Sequence, residues 1–381
     1  MSQLAGLPLI DEFRDGVLAR KLAADIAREA RSDREYHFME FCGGHTHALC
    51  RYGLMELLPR HVRMVHGPGC PVCVLPMGRL QQAIDLAMKP NVILCAYGDL
   101  MRVPGKDRQS LLSAKARGAA VKLVLGSGEA LRIARENPTK EVVFFAIGFE
   151  TTTPTTAVAL RAARDGGMTN FSVLCNHVLT PSALSAILAS DQVKVDGVVG
   201  PGHVSTIIGS APYERFGTEH HLPIVIAGFE PIDLLASILM LVRQVNEGRH
   251  EVENQFTRAV NREGNVLAQK LVDETLMLRD SFEWRGLGAI AASALKVRPA
   301  FAAWDAEVKF SLEDQVVKDH PACACGDILR GVKRPTDCKI FATACTPDHP
   351  MGACMVSPEG SCSAYFLYGR GRQSAPQERA S

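Results

Sequence analysis

The stretch Val142-Val143-Phe144-Phe145-Ala146-Ile147 runs directly into the polar turn Gly148-Phe149-Glu150-Thr151-Thr152-Thr153. Its apolar half is rich in β-branched and aromatic side chains, which favour strands. A helical pattern then covers Ala157–Ala163, so a strand, a turn and a helix follow one another. This order is typical of a βα unit in a parallel sheet.

Seven other short apolar runs alternate with helical stretches along the chain. They are His37–Phe41, Val62–Val65, Val92–Ala96, Val121–Leu125, Phe171–Cys175, Val195–Val199 and Ile224–Ala227. Eight strands separated by helices predict an α/β fold with two parallel-sheet βα domains that face a cleft. We expect the division near Gly118: residues 1–118 form the first domain, with an amphipathic helix over Asp11–Ala30, and residues 119–230 form the second.

The pattern changes after Pro231, where apolar residues recur at helical spacing. We predict one helix there and a second over Glu253–Met277. The stretch from His320 to Tyr368 is rich in Cys, Pro and Gly; it cannot build a regular layered core, but it can wrap a metal cluster. Residues 231–381 are therefore predicted to form a third, mainly helical, Cys-rich iron–sulfur domain with a disordered tail from about Gly369.

The composition argues against several classes of partner. A net charge of +1 favours neither nucleic acid nor an anionic membrane. No apolar run approaches the roughly 20 residues of a membrane span, and Met1–Ile10 lacks the features of a signal peptide. We expect a cytoplasmic protein, where thiols stay reduced. Clustered cysteines are then interpreted as metal ligands or redox groups before structural disulfides.

Six of the twelve cysteines fall within the last third of the chain. Four of them are spread over loops in a way that suits the four corners of a [4Fe–4S] cubane: Cys323, Cys338, Cys345 and Cys362. A structural zinc site would more often show two tight Cys-x-x-Cys pairs. Cys325 and Cys354 lie in the same stretch, and either could replace one of the four or line the surroundings of the cluster.

Polar residues follow the predicted strands where the strands end, which is where sites form in open α/β sheets. Cys42-Gly43-Gly44-His45-Thr46-His47 follows the first strand, and Gly67-Pro68-Gly69-Cys70-Pro71-Val72-Cys73 follows the second. Glu150 and Thr151 follow the fifth. These turns predict a cleft lined by Cys, His, Glu and Thr, with Asp99, His177 and His203 as weaker candidates.

Each of these candidates also has a structural interpretation. Cys70 and Cys73 could form a redox-active disulfide, chelate one metal, or be semi-buried structural cysteines. Cys42 could be a small buried thiol, although Gly43 and Gly44 would let the backbone approach a ligand. His45 is the histidine that we expect beside Cys42. Glu150 and Thr151 could cap the next helix or face a ligand in the cleft. We expect three other cysteines to lie in the core: Cys50, Cys95 and Cys175.

Taken together, these segments resemble the HypD family of [NiFe]-hydrogenase maturation factors, in order and over nearly the whole chain. The matching motifs are Phe41-Cys42-Gly43-Gly44-His45-Thr46-His47, Gly67-Pro68-Gly69-Cys70-Pro71-Val72-Cys73-Val74, Met101-Arg102-Val103-Pro104-Gly105, Gly148-Phe149-Glu150-Thr151-Thr152, Cys338 through Cys345-Thr346-Pro347, Cys354-Met355-Val356-Ser357, and Cys362.

The resemblance implies a scaffold that holds an iron carrying two cyanides and one carbon monoxide, the Fe(CN)2CO unit. It implies that Cys42 binds this iron with His45 beside it, that Cys70 and Cys73 are a redox pair, and that the four C-terminal cysteines hold a [4Fe–4S] cluster. The implied partners are a HypC-type chaperone, a HypE-type cyanide donor and, indirectly, the hydrogenase large subunit.

Two other functions stay open from the residues alone. A stand-alone iron–sulfur-dependent thiol/disulfide oxidoreductase would also need a cluster and a Cys-x-x-Cys pair, but it would not need Cys42 or a required partner. An ATPase or ligase could use the α/β domains, although the sequence contains no strong phosphate-binding loop.

Overall fold

All eight predicted strands form in the computed structural model of the protein, which describes residues 12–190 and 192–369. They are β1 Tyr36–Glu40, β2 Val62–His66, β3 Val92–Ala96, β4 Val121–Leu123, β5 Glu141–Gly148, β6 Phe171–His177, β7 Gly197–Pro201 and β8 Ile224–Ala227. The expectations for Met1–Ile10 and for the tail beyond Gly369 lie outside the described residues.

Five shorter strands follow in the C-terminal half: β9 Val252–Asn254, β10 Leu276–Leu278, β11 Ser281–Trp284, β12 Gly288–Ala291 and β13 Leu295–Val297. The α-helices of the first half are α1 Gly16–Glu29, α2 Gly43–Tyr52, α3 Pro71–Val74, α4 Met77–Ala87, α5 Leu111–Ala116, α6 Ser127–Glu136, α7 Thr153–Asp165 and α8 Thr180–Leu188. The later helices are α9 Gly202–Ile208, α10 Glu214–His220, α11 Pro231–Glu247, α12 Val266–Thr275, α13 Ala306–Lys309, α14 Cys325–Leu329 and α15 Ser361–Gly369.

The first nine strands form two parallel sheets, which confirms the predicted fold class. The first sheet has the order β2-β1-β7-β8-β9 and the second has the order β4-β3-β5-β6. Helices connect the strands because parallel neighbours cannot be joined by a tight turn. Two small antiparallel pairs, β10-β13 and β11-β12, precede the Cys-rich region.

The sheets do not divide the chain near Gly118 as expected. β3 precedes Gly118 but pairs with β4 and β5, whereas β7 and β8 return to pair beside β1. The chain thus leaves the first sheet after β2, completes the second sheet, and comes back. Apolar runs identify strands, but pairing depends on which faces the strands bury together, and chain order does not record that.

Side chains alternate between two cores along each central strand, as the two-residue period of a strand requires. In β5, Val143, Phe145 and Ile147 enter a large common core, while Val142 and Phe144 pack under α6 and α7. In the first sheet the outer faces pack under α1 and α11, and the inner faces enter the same common core. That common core also contains cysteines of the C-terminal region, so this region and both sheets share one interior.

The predicted helix over Glu253–Met277 is wrong in its first half. Val252–Asn254 is β9, and the helix begins only at Val266, because Gly264 adopts a positive φ of 69° and the Asn265 side chain caps the backbone N–H of Ala268. The helix at Pro231 is confirmed, but it packs on α1 and the first sheet instead of joining the Cys-rich region. The C-terminal region is therefore less helical than predicted.

In the part of the chain that the structure describes, no helix is both long enough and apolar enough to cross a membrane.

Candidate functional site

Cys42 lies between β1 and α2, at the carboxyl edge of the first sheet, and is 8% exposed. The turn that carries Cys70 touches it through backbone atoms. The N–H of Gly43 donates to the carbonyl of Gly69 at 3.0 Å, and a Cβ on Gly69 would lie 2.5 Å from both N and Cα of Cys42. The turn that begins at Cys42 (the Cys42 turn) and the turn 67–73 (the disulfide turn) are therefore in direct contact. Position 69 has room only for glycine.

This contact makes a testable prediction about Gly69. Replacing it with alanine should lower the free energy of unfolding by roughly 1–3 kcal/mol, because the atoms that it would strike are backbone atoms that cannot rotate away. Gly128→Ala is the matched control, since nothing lies within 4 Å of a Cβ there and alanine favours the helix. Urea denaturation of both variants measures the difference, and equal stabilities would contradict the close packing at Gly69.

Cys70 and Cys73 form a disulfide at the start of α3, where Pro71 occupies the first helical turn. The pair is buried, and α3 packs against β5, against α14 and against the 3-10 helix Ala353–Met355. The first of these contacts belongs to the second sheet. The other two belong to the Cys-rich region, so the disulfide lies where both sheets and that region meet.

The histidine beside the Cys42 sulfur is His203, whereas we expected His45. Nδ1 of His203 lies 4.0 Å from Sγ of Cys42. The ring of His45 points elsewhere: it stacks on Phe229, and its Nε2 lies 3.2 Å from the carbonyl of Ala227. His203 stacks on the same ring with centroids 3.6 Å apart. Chain proximity favoured His45, but β7 lies next to β1 in the sheet and brings His203 closer.

Burial sets the charge state of these groups. It raises the pKa of the Cys42 thiol strongly, and the carboxylates of Glu359 and Glu40 raise it further, against the backbone amides of Gly44 and His45. Burial likewise lowers the pKa of both His45 and His203, and the charge of the nearby His45 lowers the pKa of His203 further. Near pH 7 the site therefore holds a neutral thiol and neutral imidazoles.

A buried carboxylate under Cys42 was missed by sequence reasoning. Glu40 is fully buried, accepts from the backbone N–H of Cys42 at 3.1 Å, and is bonded by the hydroxyl of Thr46. His66 Nδ1 lies 2.8 Å from it, and the other ring nitrogen of His66 meets the Tyr365 hydroxyl at 3.0 Å. The available signal was a charged residue at the end of an apolar strand, where burial requires partners.

Glu359 is the second acid that the sequence did not reveal. It comes from the C-terminal region and covers Gly43, where a Cβ would lie 2.6 Å from that of Glu359. Burial raises the pKa of Glu359, and the charges of Asp99 and Glu40 raise it further. Asp99 follows β3 of the second sheet, so Glu359 senses residues of both sheets and stands beside Cys42.

Glu150 and Thr151 are not brought to the Cys42 turn. Glu150 is buried and accepts from the backbone N–H and the hydroxyl of Thr180, at 2.9 and 3.0 Å, while Thr151 is exposed. Burial raises the pKa of Glu150 to about 7. Its side chain lines a separate cavity of about 590 Å³, which none of the cysteines lines. Glu150 was predicted to cap the next helix, α7, or to face a ligand, but its carboxylate instead accepts from Thr180 at the N-terminus of α8.

His177 is a core histidine. It is fully buried, its Nε2 lies 2.8 Å from the Thr156 hydroxyl, and burial lowers its pKa from 6.5 to about 4. The three predicted core cysteines, Cys50, Cys95 and Cys175, are also buried.

The buried state of His177 makes stability depend on pH. Below pH 6.5 His177 is protonated in the unfolded chain, whereas in the folded chain it stays neutral until about pH 4. The free energy of unfolding is therefore highest above pH 6.5 and decreases as the pH falls to about 4. The expected loss is roughly 3 kcal/mol. His177→Gln keeps a partner for Thr156 and should flatten this part of the curve in urea titrations at several pH values. An unchanged slope in the variant would contradict the prediction.

Six cysteines come together in the C-terminal region and are called the cysteine group: Cys323, Cys325, Cys338, Cys345, Cys354 and Cys362. Five of them line one small cavity of about 10 Å³ whose other walls are apolar. The sixth, Cys354, shares a hydrogen bond with the thiol of Cys325. A hydrogen bond with Cys325 lowers the pKa of Cys323 to about 7, so a thiolate forms readily there. All four predicted cluster ligands line this cavity, together with Cys325.

The donor chemistry of the cysteine group fits an iron–sulfur cluster. Thiolates are the ligands that such clusters take, and an apolar wall keeps water away from the sulfurs. Among the described residues, no three His, Cys, Asp or Glu side chains are arranged to hold a single metal ion. Five of the six thiols converge on this one cavity, and a cluster with cysteine ligands requires such convergence.

Comparison with known proteins extends over almost the entire chain. The profile of the HypD family, described as the hydrogenase formation hypA family, matches residues 17–369. The hydrogenase maturation factor HypD of Rhizobium leguminosarum bv. viciae is 60% identical over 374 residues, which is 97% of each chain. The hydrogenase expression/formation protein HupD of Azotobacter chroococcum mcd 1 is 59% identical over 371 residues, 96% of this chain and 98% of that one.

A more distant relative covers the chain equally well. The hydrogenase maturation factor HypD of Escherichia coli strain K12 is 43% identical over 364 residues, 94% of this chain and 97% of its own. The family match over residues 17–369 includes the Cys42 turn, the disulfide turn and the cysteine group. On the strength of this coverage and identity, the chain belongs to the HypD family.

Proposed function

We propose that this protein acts in [NiFe]-hydrogenase maturation as the scaffold on which the Fe(CN)2CO unit is assembled. The single observation that carries the proposal is the backbone contact between the Cys42 turn and the disulfide turn at the edge of the first sheet. It offers one sulfur to hold an iron and a two-electron thiol pair within the same small region. Membership of the HypD family supports the proposal.

Cys42 holds the iron of the unit through its sulfur. The surroundings of the sulfur favour the neutral thiol, because burial and the carboxylates of Glu359 and Glu40 oppose a negative charge there. The positive charge of ferrous iron reverses that balance, so iron binding releases the thiol proton. A thiolate is a soft donor that suits an iron carrying cyanide and carbon monoxide.

His203 is placed to receive that proton. Its Nδ1 lies 4.0 Å from the sulfur, and its ring is neutral near pH 7. His203 is exposed, so a proton on its ring can pass to solvent. His45 packs against the same Phe229 ring and acts as a positioning residue for His203.

Cys70 and Cys73 supply electron pairs. Reduction of their disulfide takes up two electrons and two protons and gives two thiols, and reoxidation returns them. The helix that carries the pair, α3, contacts α14 and the 3-10 helix that contains Cys354. A [4Fe–4S] cluster held by Cys323, Cys338, Cys345 and Cys362 would supply single electrons there. The short path from the cysteine group to α3 favours reduction from that side.

The proposed partners are a HypC-type chaperone that shares the iron, a HypE-type protein that delivers the cyanides, and the hydrogenase large subunit that receives the finished unit. The work belongs in the cytoplasm, where the thiols are kept reduced. The exposed His203 marks the side of the Cys42 turn from which a partner can reach the iron.

Infrared spectroscopy tests the scaffold proposal directly. The protein is purified anaerobically with its HypC-type partner, once from cells with HypE and once from cells without it. We expect cyanide and carbonyl stretching bands only in the first preparation. Absence of these bands from an intact complex prepared from HypE-containing cells would overturn the assignment as a scaffold.

The buried disulfide beside the cysteine group also supports a second candidate, a stand-alone thiol/disulfide oxidoreductase. Such an enzyme would reduce a small disulfide at many turnovers without a partner, and Cys42→Ala would leave that turnover intact. The scaffold instead requires its partner and Cys42. Turnover assays of the wild-type protein and Cys42→Ala, with and without the HypC-type protein, separate the two functions.

A further inference from the structure

A cavity of about 680 Å³ lies next to the cysteine group, apart from the Cys42 turn. Its walls come from α4, from the loop 104–108, from the extended segment 315–321 and from the turn 351–352. The loop begins with Pro104 and Gly105, the last two residues of the Met101-Arg102-Val103-Pro104-Gly105 motif, which the proposed scaffold chemistry does not use. The space is large enough for a small organic molecule.

Arg285 lines this cavity and is 4% exposed. Within residues 12–190 and 192–369, none of its three guanidinium nitrogens has a hydrogen-bond partner. Its Nε lies 3.2 Å from an Asp319 oxygen, which is ion-pair distance without hydrogen-bond geometry, and Asp319 is itself 40% exposed at its side chain. Even with that contact, both terminal nitrogens keep all their N–H donors unused.

A buried cation with unused donors is costly unless something accepts from it. The backbone holds Arg285 in place, because its N–H donates to the carbonyl of Val74 at 2.9 Å, next to the disulfide helix. Gly286 is packed against Gly326, where a Cβ would lie 2.5 Å from the neighbouring Cα. These contacts fix the backbone of Arg285 between α3 and α14, with its side chain buried at the cavity wall.

Among the described residues, four cations line the cavity against the three acids Asp85, Asp107 and Asp319, so its net charge of +1 favours an anion. Lys106, Arg108 and Lys318 line it together with Arg285, and none of these three has an ion-pair partner among the described residues. Of the acids, Asp85 is already bonded by the side-chain amides of Gln81 and Gln315, at 2.8 and 3.1 Å.

The loop that carries two of these cations has an unusual backbone. Asp107 and Arg108 both have positive φ, 52° and 59°, which non-glycine residues adopt at a cost. The loop lines the cavity together with Arg285.

The inner end of the cavity meets the cysteine group. Gly352 lines the cavity, and a Cβ on it would lie 2.5 Å from the sulfurs of both Cys323 and Cys325. Arg285 also acts electrostatically on Cys323 and Cys354. A ligand that pairs with Arg285 thus lies within the electric field of the cysteine group.

We propose that this cavity is a binding site for a small anionic molecule, whose carboxylate or phosphate group accepts hydrogen bonds from the terminal nitrogens of Arg285. A planar guanidinium offers two parallel N–H donors to such a group. Binding here is independent of iron transfer at Cys42.

Calorimetric titration of the full-length, anaerobically purified protein tests the site, with citrate as the carboxylate probe and inorganic phosphate as the other. We expect one molecule of at least one probe to bind per chain. Arg285→Gln should weaken that binding by at least about tenfold, since a hydrogen bond to a charged group is lost. Arg132→Gln is the control, because Arg132 is an exposed arginine paired with Glu136 far from the cavity.

Two further variants keep the test decisive if Arg285→Gln does not fold. Asp319→Asn removes the one carboxylate near Arg285 and should tighten binding several-fold, whereas Arg108→Gln, at an exposed position, should weaken it several-fold. Failure of both probes to bind the wild-type protein at millimolar concentration overturns the proposal. So does equal affinity in wild type and Arg285→Gln, or weaker binding in Asp319→Asn, which would mean that Arg285 serves only its ion pair with Asp319.

Discussion

Replacing Cys42 with alanine is expected to remove every cyanide and carbonyl infrared band from the protein purified with its HypC-type partner. The sulfur is the atom that we propose to hold the iron, and the two cysteines of the contacting turn, Cys70 and Cys73, are paired with each other. The visible absorption of a cluster should persist, because the cysteine group lies in a different part of the fold.

Cys95→Ala is the matched control for this experiment. Cys95 is also a buried free cysteine, but it points into the outer core of the second sheet. Its loss should cost some stability through the missing sulfur contacts and leave the infrared bands in place. Bands of normal intensity in Cys42→Ala, or their loss in Cys95→Ala as well, would remove Cys42 from the role of iron ligand.

Replacing Cys345 with alanine is expected to abolish the visible absorption of the cluster and to lower the melting temperature by several degrees. The regular secondary structure of residues 330–360 is limited to two short 3-10 helices, Pro335–Asp337 and Ala353–Met355. A segment with so few backbone ladders depends on its ligands for order, so losing the cluster removes much of its folding energy. Iron and sulfide content, absorption and thermal unfolding measure the effect.

Cys325→Ala separates a ligand from a neighbour. Cys325 lines the same cavity, and its thiol shares hydrogen bonds with the thiols of Cys323, Cys354 and Cys362. It is nevertheless not one of the four expected ligands. We expect this variant to keep its full iron content. If Cys325→Ala loses the cluster and Cys345→Ala retains it, the assignment of the four ligands is wrong and Cys325 takes the place of Cys345.

Much of the fold could be predicted from local pattern. The run 142–147 became the centre of β5, and each of the other apolar runs contains a strand, because burial on both faces leaves an unbroken apolar signature. Helix boundaries were predicted less well. Gly264 and Asn265 delay the start of the helix predicted over 253–277 to Val266. Both residues are boundary signals, but the apolar spacing was given more weight.

The site was predicted unevenly for a similar reason. Cys42, Cys70 and Cys73 lie in Gly-rich turns directly after strands, and such turns are a local sequence signal for a site in a parallel sheet. His203 and Glu359 reach Cys42 from 161 and 317 residues away, and no local pattern connects them to it. Arg285 was not singled out at all, because a lone arginine in a hairpin has no distinctive sequence signal before its burial is known.

The sequence by itself determined the βα units, the thiol turns that follow the first two strands, and the crowding of six cysteines near the C-terminus. Those features depend on residues close together in the chain, so local sequence patterns are sufficient to predict them. Only the tertiary structure decided that β7 returns beside β1, that His203 instead of His45 meets the Cys42 sulfur, and that a buried guanidinium borders the cysteine group. Strand pairing and burial are settled by which surfaces exclude water together, and residues far apart in the chain contribute to that choice.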